Sequence, residues 1–130
     1  QVIMPRLKTD LFKIINYSLK NQIKKLKFKW ENNKCMTIVL CSKGYPGNYK
    51  KGKVIRIKRI KNKNNLFIIH AGTKLNNGNI YSVGGRVLNV VSKGQNFNQI
   101  RKKIIKLLRK INWRNGFYRK DIGWRVIDKL

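Results

Sequence analysis

Two stretches of this chain place cations where an anion could reach them. Arg86 follows Gly84-Gly85, so backbone lacking Cβ atoms can approach a phosphate or carboxylate while the guanidinium forks onto it. Arg119 and Lys120 lie between Gly116 and Gly123, in a run suited to a loop. A sugar phosphate needs such cationic side chains and backbone N–H groups. Each residue also has a plainer reading. Arg86 could serve a salt bridge at a domain interface. Arg119 and Lys120 could pair with Asp121 or stand in solvent, where ion pairs are worth little.

Other reactive side chains offer less. His70 is the only histidine and ends the apolar run Phe67-Ile68-Ile69, which suits a hydrogen-bonded structural residue better than a catalyst. Thr73 serves a backbone contact in a hairpin as readily as a ligand contact. Cys35 and Cys41 are six apart with no CxxC and no flanking histidine, so they read as reduced thiols in a strand rather than a metal site. Asp10, Glu31, Asp121 and Asp128 are the only acids and are scattered, with no pair spaced to hold a metal. There is no Walker-type glycine–lysine loop. Trp30, Trp113 and Trp124 are far apart in sequence and read as core or interface aromatics rather than a base-stacking platform.

The charge is extreme: 32 Lys and Arg against 4 Asp and Glu, a net +28 in 130 residues. A basic surface of that kind fits nucleic acid, through counterion release from phosphates. Yet 23 of the bases are Lys and 9 are Arg, and 16 Asn and 17 Ile accompany them. Adenine- and thymine-rich codons specify Lys, Asn and Ile together, so codon bias explains the composition without a polyanion partner. Arg, the better reader of phosphates and guanine edges, is not the enriched base. A hydrophobic fraction of 42% allows a small core and argues against wholesale disorder. No apolar run approaches a membrane span and no signal peptide is visible. The opening Gln1 reads as a processed product or a piece of something longer.

The elements that must position these residues follow from periodicity. Leu7, Leu11, Ile14, Ile15, Leu19 and Ile23 recur at helical spacing and predict a helix over 6–23, with Pro5 near its start. Thr37–Leu40 reads as a buried strand, and 53–60, 66–70 and Val87–Val91 as further strands. In Gly44-Tyr45-Pro46-Gly47, Pro46 and Gly47 fit the second and third positions of a type II turn. Asn77-Gly78 marks a two-residue hairpin. Residues 61–65 (KNKNN) are a low-complexity loop. Asn96 and Gln99 form a capping box that opens a helix presenting Phe97, Ile100, Ile104, Leu107, Leu108 and Ile111 on one face, and a short helix can start at Trp124. The order helix, several short strands, helix predicts an α+β domain with a mainly antiparallel sheet or half-barrel and flanking helices.

Five segments also carry a resemblance. QVIMPRLKTD (1–10), SKGYPGNYKKG (42–52), HAGTKL (70–75), GGRVLNV (84–90) and FYRKDIGWR (117–125) resemble, in order and spacing, the C-terminal portion of the phosphoribosylamine–glycine ligase (glycinamide ribonucleotide synthetase) family. The resemblance implies a C-terminal domain of the kind found in ATP-grasp purine-biosynthesis ligases over 31–130, with 1–30 as a helix at the end of the ATP-grasp region. It implies a part in the ATP-dependent joining of glycine to 5-phosphoribosylamine in the cytoplasm, through an acyl phosphate. ATP and Mg²⁺ (or Mn²⁺) belong to the full-length enzyme, and the family's metal ligands lie just before the segment matched by Gln1. This chain alone is then expected to bind neither and to be inactive, with the N-terminal and ATP-grasp domains as its partners and no specific nucleic acid or membrane. Related basic C-terminal loops hold nucleotide phosphates, which assigns Arg86, Arg119 and Lys120 to the substrate phosphate and Gly84 and Gly85 to the site lining. The departure from the family is the loss of acids along 99–110. The alternative is a small basic nucleic-acid-binding protein, which explains charge and size but leaves the five segments unexplained.

Overall fold

The computed structural model describes residues 1–58 and 65–127. The end of the expected strand 53–60, most of the KNKNN loop and Asp128 therefore lie outside the described residues.

The N-terminal segment is not one long helix. Its first turn, Met4–Arg6, is 3-10, and the α-helix α1 spans only Leu11–Leu19. The backbone between them is committed elsewhere: Lys8 and Thr9 N–H both donate to Lys29 O, at 2.9 and 3.2 Å, and Glu31 N–H donates to Arg6 O at 2.7 Å. Residues paired in this way cannot also make helical bonds. Asp10 then caps α1, its Oδ1 accepting from Lys13 N–H at 2.8 Å. Asn21, with φ of 53°, ends the helical run two residues past α1.

From Lys34 the chain builds two antiparallel sheets. The strands are β1 (Lys34–Ser42), β2 (Lys53–Ile57), β3 (Leu66–His70), β4 (Thr73–Asn76), β5 (Asn79–Ser82), β6 (Arg86–Gly94), β7 (Ile111–Asn112) and β8 (Gly116–Phe117). One sheet runs β3-β6-β1-β8 and the other β4-β5-β2-β7. The hairpin β4–β5 turns at Asn77 and Gly78, with φ of 45° and 72°, the geometry of a type I′ turn as the sequence indicates. The GYPG turn differs from its expectation. The Tyr45–Pro46 peptide is cis, and positive φ falls on Gly44 rather than Gly47, so it is not type II.

Helix α2 (Phe97–Leu108) opens on Asn96, whose Oδ1 accepts from Gln99 N–H at 3.2 Å. Ile100, Ile104, Leu107 and Leu108 are buried on one face as expected, while Ile111 leaves the helix and enters β7. A short helix α3 spans Trp124–Ile127. The core unites Met36, Ile38 and Leu40 of β1, Val87, Leu88 and Val90 of β6, Ile55 of β2, the buried face of α2, and Trp113. Roughly 1.5–3 kcal/mol accompanies burial of each such aliphatic side chain.

Candidate functional site

The centre of the first sheet determines where Arg86 goes. Strands β1 and β6 pair residue for residue from Lys34↔Gly94 to Leu40↔Leu88, and then Cys41 faces Arg86. Val87 is the extra residue of a β-bulge, and it is fully buried. A bulge re-aims the side chain beside it, and here Arg86 is turned out to solvent on the sheet face that also carries Val39, Cys41 and Asn89.

The two glycines before Arg86 are gripped from both sides. Ser42 N–H donates to Gly85 O at 2.7 Å, and Ser42 Oγ donates to Gly84 O at 2.7 Å. Gly72 N–H donates to Arg86 O at 3.0 Å, and Val83 N–H donates to Gly72 O at 2.8 Å. The carbonyls are thus held, while the N–H groups of Gly84 and Gly85 donate to no other described residue. A Cβ on Gly85 would lie 2.1 Å from the Tyr45 ring, so the ring rests directly on this peptide.

A cleft of about 420 Å³ opens here, lined by Gln1, Val39, Tyr45, Ala71, Gly85, Arg86 and Asn89. Two of the five expected site residues, Gly85 and Arg86, line it. Gly84 lies behind, holding Ser42. Arg86 makes no ion pair among the described residues. Its charge is felt by Cys41, whose thiol is pushed up by burial and partly drawn back by the guanidinium.

Arg119 and Lys120 do not line the cleft. Arg119 grips Asp121, with Nε to Oδ1 at 3.2 Å and Nη2 to Oδ2 at 2.6 Å. That bond holds the Asp121 carboxyl below its ordinary range and raises the arginine. Both side chains are exposed. Lys120 O accepts from Arg101 of α2, whose Nε also donates to Ile122 O at 3.1 Å, so α2 fixes the backbone of this loop. The loop follows β8, which pairs with β1 at Cys41↔Phe117. Cys41 therefore has Arg86 on one side and Phe117 on the other, about 10 Å apart across two strand spacings.

His70 is exposed at the end of β3, its Nδ1 3.0 Å from Thr73 Oγ1, so histidine and threonine satisfy each other across the turn. The described acids are engaged in structure. Asp10 caps α1, Asp121 holds Arg119, and Glu31 pairs with Lys93 at 2.8 Å. Among the described residues no three His, Cys, Asp or Glu converge, so these side chains do not fit a metal site. Trp113 is buried, whereas Trp30 and Trp124 are exposed. Cys35 is buried and Cys41 half-buried, both as free thiols. No described helix is long and apolar enough to cross a membrane.

Tyr45 and Asn89 were not legible as site residues. Tyr45 reaches the cleft only through the fold of the GYPG turn. Asn89 did leave a signal, since an amide in the apolar strand Val87–Val91 needs a partner that the strand does not supply.

The family description "Phosphoribosylglycinamide synthetase, C domain" matches residues 35–125. The chain belongs to that family. Relatives match it over nearly its whole length. The phosphoribosylamine–glycine ligase of Brucella melitensis is 36% identical over 130 residues, covering 99% of this chain and 30% of that protein. The ligase of Caldanaerobacter subterraneus is 40% identical, covering 95% and 29%. The chloroplastic enzyme of Arabidopsis thaliana is 38% identical, covering 98% and 24%. In structure, the phosphoribosylamine–glycine ligase of Thermotoga maritima aligns with a TM-score of 0.65 at 25% identity, over 82% of this chain and 27% of that one. The C domain thus spans about a third or less of the curated ligases it matches, and the segment before residue 35 lies outside the family description.

Proposed function

We propose that this chain is the C-terminal part of a phosphoribosylamine–glycine ligase and that its cleft forms the wall against the phosphorylated sugar. The observation that carries this reading is Arg86 beside the carbonyl-anchored Gly85 peptide, whose N–H has no partner among the described residues, on the wall of the cleft, in a chain similar over 95–99% of its length to phosphoribosylamine–glycine ligases. A guanidinium beside a backbone donor suits a phosphate dianion. Arg119 and Lys120, on the loop after β8, are the further cations that this reading assigns to the phosphate, although they do not line the cleft. For Arg119 this reading requires that the guanidinium exchange Asp121 for the phosphate.

Among the described residues no acids converge to hold the metal of ATP, so this reading assigns the activation of glycine to the neighbouring domain. ATP and its divalent metal belong to the ATP-grasp part, as does the transfer chemistry, so the C domain contributes binding and enclosure. Residues 1–30 close that neighbouring domain. They carry no buried residue in α1, and Leu11, Phe12, Ile15 and Leu19 are exposed, a face that the preceding domain covers. The assembled protein works in the cytoplasm.

Steady-state kinetics of the full-length protein test the phosphate assignment. Arg86→Ala, Arg119→Ala and Lys120→Ala should each raise KM for phosphoribosylamine, about tenfold or more for Arg86, with KM for ATP unchanged. Unchanged phosphoribosylamine kinetics in all three would overturn it.

A further inference from the structure

Four polar side chains are buried in the sheets: Ser42, Ser82, Asn89 and Ser92. The three serines are all satisfied. Ser42 Oγ donates to Gly84 O, Ser92 Oγ donates to Asn65 O at 3.0 Å, and Ser82 Oγ accepts from Lys53 N–H at 3.3 Å. Asn89 is 3% exposed, yet its carboxamide has no hydrogen bond to any described residue. Such an amide has two donors and an acceptor to satisfy and is costly to leave alone. The polar atoms that are both sealed from solvent and unpartnered, Arg6 Nε, Thr37 Oγ1 and Trp113 Nε1, belong to residues that do not line the cleft. Asn89 does line it, so its small residual exposure opens where a ligand would lie.

Its position relative to Arg86 is fixed by register. Asn89 faces Val39 and Arg86 faces Cys41, two residues along β1, which separates them by about 7 Å on one face of the sheet. A phosphate held at the Arg86 side of the cleft would therefore leave the attached sugar on the Asn89 side. An amide both donates and accepts, as neighbouring hydroxyls do. We propose that Asn89 is a specificity residue that binds the ring hydroxyls of a phosphorylated pentose whose phosphate lies on Arg86. The proposal rests on the reading of the cleft as a phosphoribosyl site and adds to it the group that reads the sugar. Tyr45, packed on the Gly85 peptide, walls the side of the cleft.

Calorimetric titration of the full-length protein with ribose 5-phosphate, and separately with inorganic phosphate, separates the two contacts. Asn89→Ala, and Asn89→Leu as a variant of similar volume, should weaken ribose 5-phosphate about tenfold while leaving inorganic phosphate unchanged. Arg86→Ala should weaken both. If either folded Asn89 variant, checked by circular dichroism, binds ribose 5-phosphate within twofold of the parent while Arg86→Ala loses both ligands, the Asn89 assignment falls and the phosphate reading stands. If Arg86→Ala binds inorganic phosphate like the parent, the phosphate reading fails and this inference falls with it.

Discussion

Gly72 and Gly84 touch backbone to backbone. A Cβ on Gly72 would come within 2.7 Å of Arg86 O and 2.8 Å of Gly84 Cα. Neither neighbour is a flexible side-chain end, so the two segments must part. Gly72→Ala should therefore destabilise the fold by about 1–3 kcal/mol in denaturant titration, and should weaken phosphate binding by displacing Arg86. A second residue-scale prediction concerns Glu31. Its hydrogen bond from Lys93 holds the carboxyl below its ordinary 4.5, so the folded state favours the charged form. The resulting stability is present above the unfolded value and is lost as pH falls below 4.5 through the lower folded value. Lys93→Met should flatten thermal melts across that acid window, and an unchanged pH profile would show that the pair contributes nothing. At this scale the two glycines point to an exposed Arg86, and the cleft that it lines comes from the fold. Asn89 could not be assigned, because its neighbours are set by the register of β6 against β1 and β3, and that register includes a bulge that no local pattern announces.

The N-terminal helix shows what periodicity leaves out. Apolar residues from Leu7 to Ile23 keep helical spacing, but Arg6 O, Lys8 N–H and Thr9 N–H bond to residues 29 and 31, and the helix waits for the Asp10 cap. A pairing over twenty residues overrides a local preference. Helix α2 follows its periodicity because its apolar face meets the first sheet directly: it opens at its expected cap and buries Ile100, Ile104, Leu107 and Leu108. The hairpin at Asn77-Gly78 was legible for a related reason, since its turn type is dictated by the two residues inside it. The division of the strands into two sheets was not, because β2 recruits β7 from beyond α2. The exposed face of α1 gives the prediction at this scale. Phe12 is 71% and Leu19 78% exposed, so Phe12→Ser with Leu19→Ser should change the stability of the 130-residue chain by no more than about 0.5 kcal/mol. The proposed seating of α1 on the preceding domain requires that the same pair lower the melting midpoint of the full-length protein clearly. Equal, small effects in both would remove α1 as the seat of the preceding domain.

Across the whole molecule the charge is the unsolved pressure. With 32 bases and 4 acids, most cations have no acid to pair with, and the described residues form two ion pairs. Crowded like charges destabilise a compact state, and salt relieves this by shortening the Debye length from about 30 Å at 0.01 M to about 8 Å at 0.15 M. The exposed pair Arg119–Asp121 would weaken over the same range, but a surface pair is worth less than about 1 kcal/mol, whereas repulsion sums over the whole surface. Repulsion should win. The melting midpoint of the chain should rise by several degrees between 0.01 and 0.15 M NaCl, on the scale of about 4 °C per kcal/mol for a domain of this size. The range is low enough that salting-out of apolar surface contributes little. A midpoint that stays flat or falls would mean that the cations are spaced widely enough not to repel. The same titration bears on the nucleic-acid alternative, for which no relative or structural neighbour speaks. A +28 surface attracts any polyanion at low salt. If composition alone is responsible, affinity for a random-sequence duplex should collapse over this salt range with no preference among sequences. Retention of a preferred sequence at 0.15 M would require a second function for these lysines.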